Sequence, residues 1–286
     1  MSSTEARQPS AIELGRRAFR RRQGIRSVII SAASTIVFAI VVWLTVVNTP
    51  GWRRVQLSFF DPGTFITALP EVASGFLVNL RVLLYSVVAV FVVSLLLATL
   101  RTLRGPIFFP VRALVAGYTD LFRGMPLIIV LYLVGFGIPG LRITTDRIPL
   151  ELLGTIALTL TYSAYVSEVW RAGIEAVHPS QTLAARSLGL SHGKTLRLVV
   201  LPQALRKVTP ALMNDFVSMQ KDVGLISVLG AVDAVRRAQI EASTTANFTP
   251  YVVAGVLFVL LALPMIRLTD WYTARLRSRE QIGAIL

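Results

Sequence analysis

The chain of 286 residues has no cysteine, only two histidines and few acidic groups, 15 Asp and Glu against 29 Lys and Arg. The missing cysteine excludes disulfides and thiolate metal sites, and His178 and His192 are too few for a histidine-based metal site. Charge of either sign is scarce, at 15% of residues, against 54% hydrophobic residues and a mean hydropathy of +0.65. That scarcity excludes an ordinary soluble domain of this size, so lipid is part of the solvent.

What is present is a series of six apolar stretches: 27–47, 73–100, 113–138, 152–174, 208–230 and 251–268. Each approaches or exceeds the roughly 20 residues that cross a hydrocarbon core. Backbone groups in lipid must pair within their own segment, which predicts helices. The fold class read from the sequence is therefore all-α integral membrane with six transmembrane helices. The first stretch follows a basic N-terminus, but it is longer than a signal-peptide core and no small-residue cleavage site follows Val47, so it reads as an uncleaved first helix.

The formal charge of +14 raises the question of nucleic acid, and the placement of the basic residues answers it. With six crossings and the N-terminus inside, the inner segments receive Arg7, Arg16, Arg17, Arg20, Arg21, Arg22 and Arg26, then Arg101, Arg104 and Arg112. They also receive Arg171, Arg186, Lys194, Arg197, Arg206 and Lys207, and finally Arg267, Arg275, Arg277 and Arg279. The outer segments hold only Arg53, Arg54, Arg142, Arg147, Arg236 and Arg237. This is a positive-inside pattern and predicts that both termini are cytoplasmic. A nucleic-acid groove would need basic residues interleaved with aromatics on a soluble face, and that pattern is missing.

Along the chain, residues 1–26 form an Arg-rich tail, whose stretch from Ala11 to Arg22 reads either as solvated or as a basic amphipathic helix on the anionic inner leaflet. The first transmembrane helix spans 27–47. Residues 48–72, with Pro50, Gly51, Pro62, Gly63 and Pro70, read as an outer loop of turns. The core runs over 73–270 and a cytoplasmic tail over 271–286. Within the core the longest inner connection, 175–207, has Pro179 suited to a first helical turn, good helix formers from Gln181 to Leu188, and Gly189 to end the turn. A second short helix is expected from about Lys194 to Leu201, stopping at Pro202. Ala184 and Ala185 are small enough for another surface to approach closely, with Arg186, Lys194 and Arg197 around the contact. The loop also reads as a solvated positive-inside segment.

In that loop Leu183-Ala184-Ala185, Gly189 and Val199-Val200-Leu201-Pro202 fall at the spacing of a known signature: Glu-Ala-Ala, three residues, Gly, nine residues, Ile-x-Leu-Pro. The chain resembles the permease subunits of ABC importers, and its flanking sequence resembles their polar amino acid branch. The segments that carry this are Phe122 to Leu127, Tyr162 to Glu168 with Arg171 to Ile174, and Lys221 to Gly230. Together the matches run from about Gly75 to Arg277.

The resemblance implies a type I importer fold, a five-helix core preceded here by one extra helix, in a bacterial plasma membrane. It also implies two cytoplasmic ABC ATPase subunits carrying ATP and Mg, a second permease subunit, and an extracytoplasmic solute-binding protein. This chain itself would carry no cofactor and no ATPase site. The ATPase-docking residues would be Gln181, Leu183, Ala184, Ala185, Arg186, Gly189, Leu201 and Pro202. The sequence departs from the pattern at Leu183 in place of Glu, at Ser180 in place of Gly, and at Val223-Gly224 in place of Thr-Ser. Loss of the Glu removes a charge able to pair with a basic ATPase residue, which favours a heterodimer whose other permease keeps it.

An amino acid carries a carboxylate and an ammonium group, so a midplane site needs opposite charges or helix ends to replace water. Asp215 and Asp222 are seven apart and share a stripe of the fifth helix, while Asn214 and Lys221 make the adjacent stripe. These four are path candidates, and the Lys and Asp read equally as an internal ion pair. Glu168 lies three residues before Arg171, a spacing that favours a structural or gating pair. Tyr162 and Tyr165 share its face and read as lining a polar cavity on the path or as interfacial anchors. Arg123, beside Gly124 and Pro126, reads as a solute contact or as a side chain snorkelling to the inner interface. Arg81 reads as snorkelling outward or pairing with a neighbour.

A passive channel or ion-coupled carrier is the competing class, since buried charges would serve it too. Gly189-Leu-Ser-His-Gly193 matches a nucleophile pattern at Ser191, but it lacks the strand-turn-helix context that chemistry requires.

Overall fold

The computed structural model describes residues 11–103, 105–143 and 146–283; Arg7 and Arg104 lie outside them. Among the described residues the chain is helical and without β-strands, and it divides between Leu57 and Ser58 into two units. The first unit is dominated by α1, Ala11–Val47. At about 1.5 Å per residue its 37 residues make one rod of roughly 55 Å. The basic segment and the first span are thus a single helix, with no break near residue 26 for a separate helix lying along the membrane.

The loop of turns expected over 48–72 is mostly helix. Turns occupy only 48–51; α2 follows at Trp52–Phe59, and α3 starts at Pro62 and runs 40 residues to Arg101. Asp61 caps α3, accepting from the Thr64 amide at 2.9 Å and from its hydroxyl. Pro62 sits where its missing N–H costs nothing. At about 60 Å, α3 is roughly twice the thickness of a hydrocarbon core, so its first turns project beyond the span and pack against α10 (Ala234–Thr245) and α11 (Thr249–Gly283). The contact uses small residues, Ala68, Ala234, Ala238 and Ala254. Gly75 brings the backbones closest, since a Cβ there would lie 2.5 Å from the Asp233 carbonyl group.

The third apolar stretch is two helices, α4 (Phe109–Gly124) and α5 (Leu127–Gly140), bent by 109° across Met125-Pro126. Proline at 126 removes a helical donor and forces extended backbone on the residue before it; Met125 has ψ 131°. The start of α4 is tied to the end of α3, where Arg112 donates to the Leu103 carbonyl at 2.8 Å. Far along α5, Gly135 lies against Leu229, at the opposite end of the bundle. The pair is therefore one broken span.

At the centre is α6, Leu150–Glu175, half of whose residues are buried among α3, α4, α5 and α9. By length and composition alone α6 does not qualify as a span, whereas Arg22–Val47, Trp52–Arg101 and Thr249–Leu276 do. Thr155, Thr161, Tyr162, Ser163 and Ser167 are buried against protein and not turned to lipid, where polar groups are costly. Running antiparallel to it is α9, Leu201–Asp222, from Lys207, which donates to the Ala176 carbonyl at the end of α6, to Asp222 beside Tyr162. The fifth span then tightens into a 3-10 turn at Val223–Leu229 and ends at Gly230 with φ 92°. Leu131, Leu153, Leu158 and Ile226 are fully buried in this core. Close packing of such side chains is what holds helices together in lipid, where burial of apolar surface drives nothing.

Candidate docking loop and transmembrane polar groups

At the end of the bundle that carries Arg101, Arg112, Arg171 and Lys207, here called the basic end, the connection between α6 and α9 folds into α7 (Pro179–Ser187) and α8 (His192–Thr195). Both ends of α7 are capped by local chemistry. The His178 ring accepts from the Ser180 amide, and Pro179 fills the first turn. At the other end Gly189 takes φ +81°, a left-handed conformation that a Cβ opposes. Its amide donates to the Arg186 carbonyl at 3.0 Å and the Leu190 amide to the Ala185 carbonyl at 3.2 Å, the bond pair of a Schellman turn. Ser191 then caps α8 through the Lys194 amide.

The short helix expected to stop at Pro202 does not stop there. From α8 the chain passes through a π-helical turn, Leu196–Val200, straight into α9, with Pro202 in the first turn of α9, where a missing donor is harmless. From His192 to Asp222 the backbone is thus one continuous helical path of roughly 45 Å, with the π-turn and Pro210 as the two places where its hydrogen-bond ladder is disturbed. A small core of Val177, Val200 and Ala204, with Ile174 and Leu196, seats the loop on the bundle.

Exposure separates the candidate docking residues. Gln181, Leu183, Ala184, Arg186 and Gly189 face outward, as does Pro202, and Leu183 is 67% exposed. Leu201 is half-buried. Ala185, expected on the docking face, is instead 4% exposed and packs inward. Ala184 alone of the pair is free to meet another surface.

The transmembrane candidates fall into two groups. Near the basic end, Glu168 gathers three guanidinium groups: Arg101 of α3, Arg171 at 2.9 Å, and Arg123 of α4 at 4.0 Å. Arg171 also bonds Glu175 at 2.7 Å. The Arg123 side chain is 44% exposed; its guanidinium lies 5.9 Å from the Tyr165 ring centroid, and the Tyr165 hydroxyl donates to its carbonyl at 3.0 Å. Arg101, read from the sequence only as an inside charge, is one of the hub's partners. Arg81 lies 3.9 Å from Glu151, half in solvent.

Deeper in the bundle the Tyr162 hydroxyl donates to Asp222 at 2.7 Å. Asp215, on the same stripe of α9, has a buried carboxylate oxygen with no hydrogen-bond partner among the described residues. Lys221 and Asn214 point elsewhere: both are exposed, and Lys221 forms no ion pair with either Asp. The internal Lys–Asp pair is therefore not formed, and the four residues split across two faces.

One buried polar junction went unread in the sequence. The Asn79 amide donates to the Val223 carbonyl at 3.1 Å and to Asp233 at 2.9 Å, and its oxygen accepts from the Ala234 amide at 3.0 Å. Asp233 in turn caps α10 through the Arg236 amide at 2.9 Å. A lone amide inside the apolar run 73–100 was the available signal.

Comparison with known proteins matches residues 105–278 to the binding-protein-dependent transport system inner membrane component family. The arginine transport system permease protein ArtQ of Bacillus subtilis is 30% identical over 221 residues, covering 77% of this chain and 99% of ArtQ. A crystal structure of an amino acid ABC transporter with histidines superposes with a TM-score of 0.66 at 32% identity, covering 75% of this chain and 98% of that one. The MetNI methionine ABC transporter in an inward-facing conformation shares the fold at a TM-score of 0.58 and 19% identity, over 71% of this chain and 95% of that one. These matches go with an importer permease and not with a channel or ion-coupled carrier. A multi-helix membrane core with a capped, outward-facing loop helix at the signature spacing, matched over more than half its length, places the chain in the binding-protein-dependent family of ABC transport permeases.

Proposed function

We propose that the chain imports an amino acid or close analogue, with its basic end in the cytoplasm of a bacterial cell and both termini on that side. ATP and Mg belong to two separate ATPase subunits, which dock on α7 through Gln181, Leu183, Ala184 and Arg186. The observation that carries this reading is the unbroken helical path from α8 to Asp222. A displacement of the docking loop by closing ATPases is passed along a path whose far end holds Asp215 and Asp222. That path supports alternating access by rigid-body rocking, without any local unfolding.

In the path, the buried free oxygen of Asp215 suits a substrate ammonium, and the Tyr162–Asp222 pair fixes the wall beside it. The stripe of exposed Ala211, Asn214 and Lys221 with half-buried Ser218 on the same helix is too polar for lipid. It supports a second permease subunit or a shared aqueous path there. Leu183, an apolar side chain where the family pattern has Glu, favours a heterodimer in which the other permease supplies the acid. An extracytoplasmic binding protein delivers the solute at the opposite end.

The test is isolation of the tagged chain from its native membranes in mild detergent, followed by mass spectrometry and ATP-dependent amino acid uptake in proteoliposomes. ATPase subunits and a second, different permease are expected to co-purify. Ala184→Arg should release the ATPases while leaving the chain folded. Recovery of a working assembly with two copies of this chain and no other permease would refute the heterodimer, and uptake independent of ATP would refute the importer.

A further inference from the structure

The basic end holds a cavity beside the docking loop that no step of the proposed transport cycle has yet filled. A cavity of about 1050 Å³ opens between the end of α3, the start of α4, the end of α6 and the docking loop. Arg101, Arg112, Arg171 and His192 line it, against Glu175 as the one acidic lining residue. Arg101 and Arg171 are committed to Glu168 and Glu175. Arg112 is not: its guanidinium donates to the Leu103 and Gly105 carbonyls at 2.8 and 3.1 Å and has no carboxylate partner among the described residues. Thr195, 1% exposed, lines the same cavity with its hydroxyl unpartnered.

At Ala113 this cavity adjoins a second, nearly all-apolar groove of about 690 Å³ along α4, lined by Leu114, Gly117, Tyr118, Leu121 and Phe122. From Ala113 to Phe122 the groove follows roughly 14 Å of helix, room for a stretch of one acyl chain to lie along it. An uncompensated guanidinium at a helix end beside such a groove calls for a ligand with an anionic head and an apolar tail. Arginine meets phosphate with two parallel bonds, and basic pockets between membrane helices hold acidic headgroups.

We infer that these two cavities form a binding site for one anionic phospholipid of the leaflet at the basic end, with its phosphate at Arg112 and an acyl chain along α4. Because Pro179, Thr182 and Leu183 line the head cavity, the lipid braces the docking helix, and coupling to the ATPases depends on acidic lipid. A soluble anion would satisfy Arg112 but would leave the groove unused.

The test uses the whole complex, stripped of bulk lipid and titrated with phosphatidylglycerol or phosphatidylcholine, with bound lipid counted by native mass spectrometry. One phosphatidylglycerol per chain is expected, held in preference to phosphatidylcholine. Arg112→Gln keeps a donor for the two carbonyls and should lower retention about fivefold, the factor for one interfacial charge. Gly117→Leu places its side chain in open space, since a Cβ there meets nothing within 4 Å. It should fill the groove and lower retention without harm to the fold. Equal retention by the original chain and both variants would overturn the site. Loss with Arg112→Gln and displacement by inorganic phosphate, with no effect of Gly117→Leu, would overturn the lipid and leave only a soluble-anion pocket.

Discussion

In α7 every polar end group is answered within a few residues: His178 accepts from Ser180, and the Gly189 amide reaches back to Arg186. In the bundle the answers come from far along the chain, Asn79 from Asp233, Arg101 from Glu168, Tyr162 from Asp222. The loop helix can therefore hold its shape while its apolar Leu183 stays turned outward. The bundle's long-range polar pairs join different helices, and losing one partner strands the other in a medium with no water to replace it. Substitutions in the bundle should consequently change stability first and transport as a result. Substitutions in the loop should change coupling while the bundle stays intact.

The largest effect is expected at Gly75. A valine side chain would drive into the Asp233 backbone 2.5 Å away, which places the cost near 3 kcal/mol, at the upper end of overpacking. The heat-denaturation midpoint of the purified complex should fall sharply, with transport lost in parallel. A Gly75→Val protein of unchanged stability would show that α3 and α10 are free to part. Next is Glu168→Gln, which removes the charge shared by Arg101, Arg123 and Arg171. Bonds to charged groups contribute about 1.5–3 kcal/mol, and since these guanidinium groups are 24 to 44% exposed, about 2 kcal/mol is expected. If Glu168→Gln instead leaves the melting point alone and alters ATP-dependent uptake, the hub is a gate and the comparison fails there.

Smaller, and confined to the loop, is Gly189→Ala. At φ +81° an alanine costs about 1 kcal/mol. Amide exchange at Leu188 to Leu190 should quicken while exchange in α6 and α9 is unchanged.

The legible parts of the molecule were those that local spacing encodes. The helix caps of α7, the turn at Gly189 and the Glu168–Arg171 pair lie within a few residues of each other, so the sequence displays them. The fold class followed from apolar run length, which reflects membrane thickness and not tertiary contacts. Ala185 was misread because both alanines are small, and only the packing of α7 on the loop core distinguishes the inward one. The Asn79–Asp233 junction and the pairing of Arg101 with Glu168 were invisible for the opposite reason: 154 and 67 residues separate the partners, and no periodicity spans such distances. The break at Met125-Pro126 was marked by its proline, but its 109° angle is set by the neighbours of α4 and α5.

Leu183 gives the smallest predicted change in stability and the sharpest use of the comparison. Its side chain is 67% exposed and the helix beneath it is capped at both ends, so Leu183→Glu should alter stability by no more than about 0.5 kcal/mol. The new carboxylate would lie on the surface offered to the ATPases, four residues from Ser187 and three from Arg186, with α7 otherwise unchanged. If an ATPase keeps a basic residue at this contact, the variant should retain ATPase through longer detergent washes than the original chain, at an unaltered melting point. Equal retention would mean that this subunit's contact is apolar by design, with Leu183 seated in a greasy part of the ATPase groove. A drop in melting point would mean that Leu183 is held by the chain's own residues, and the separation of loop from bundle would then need redrawing at α7.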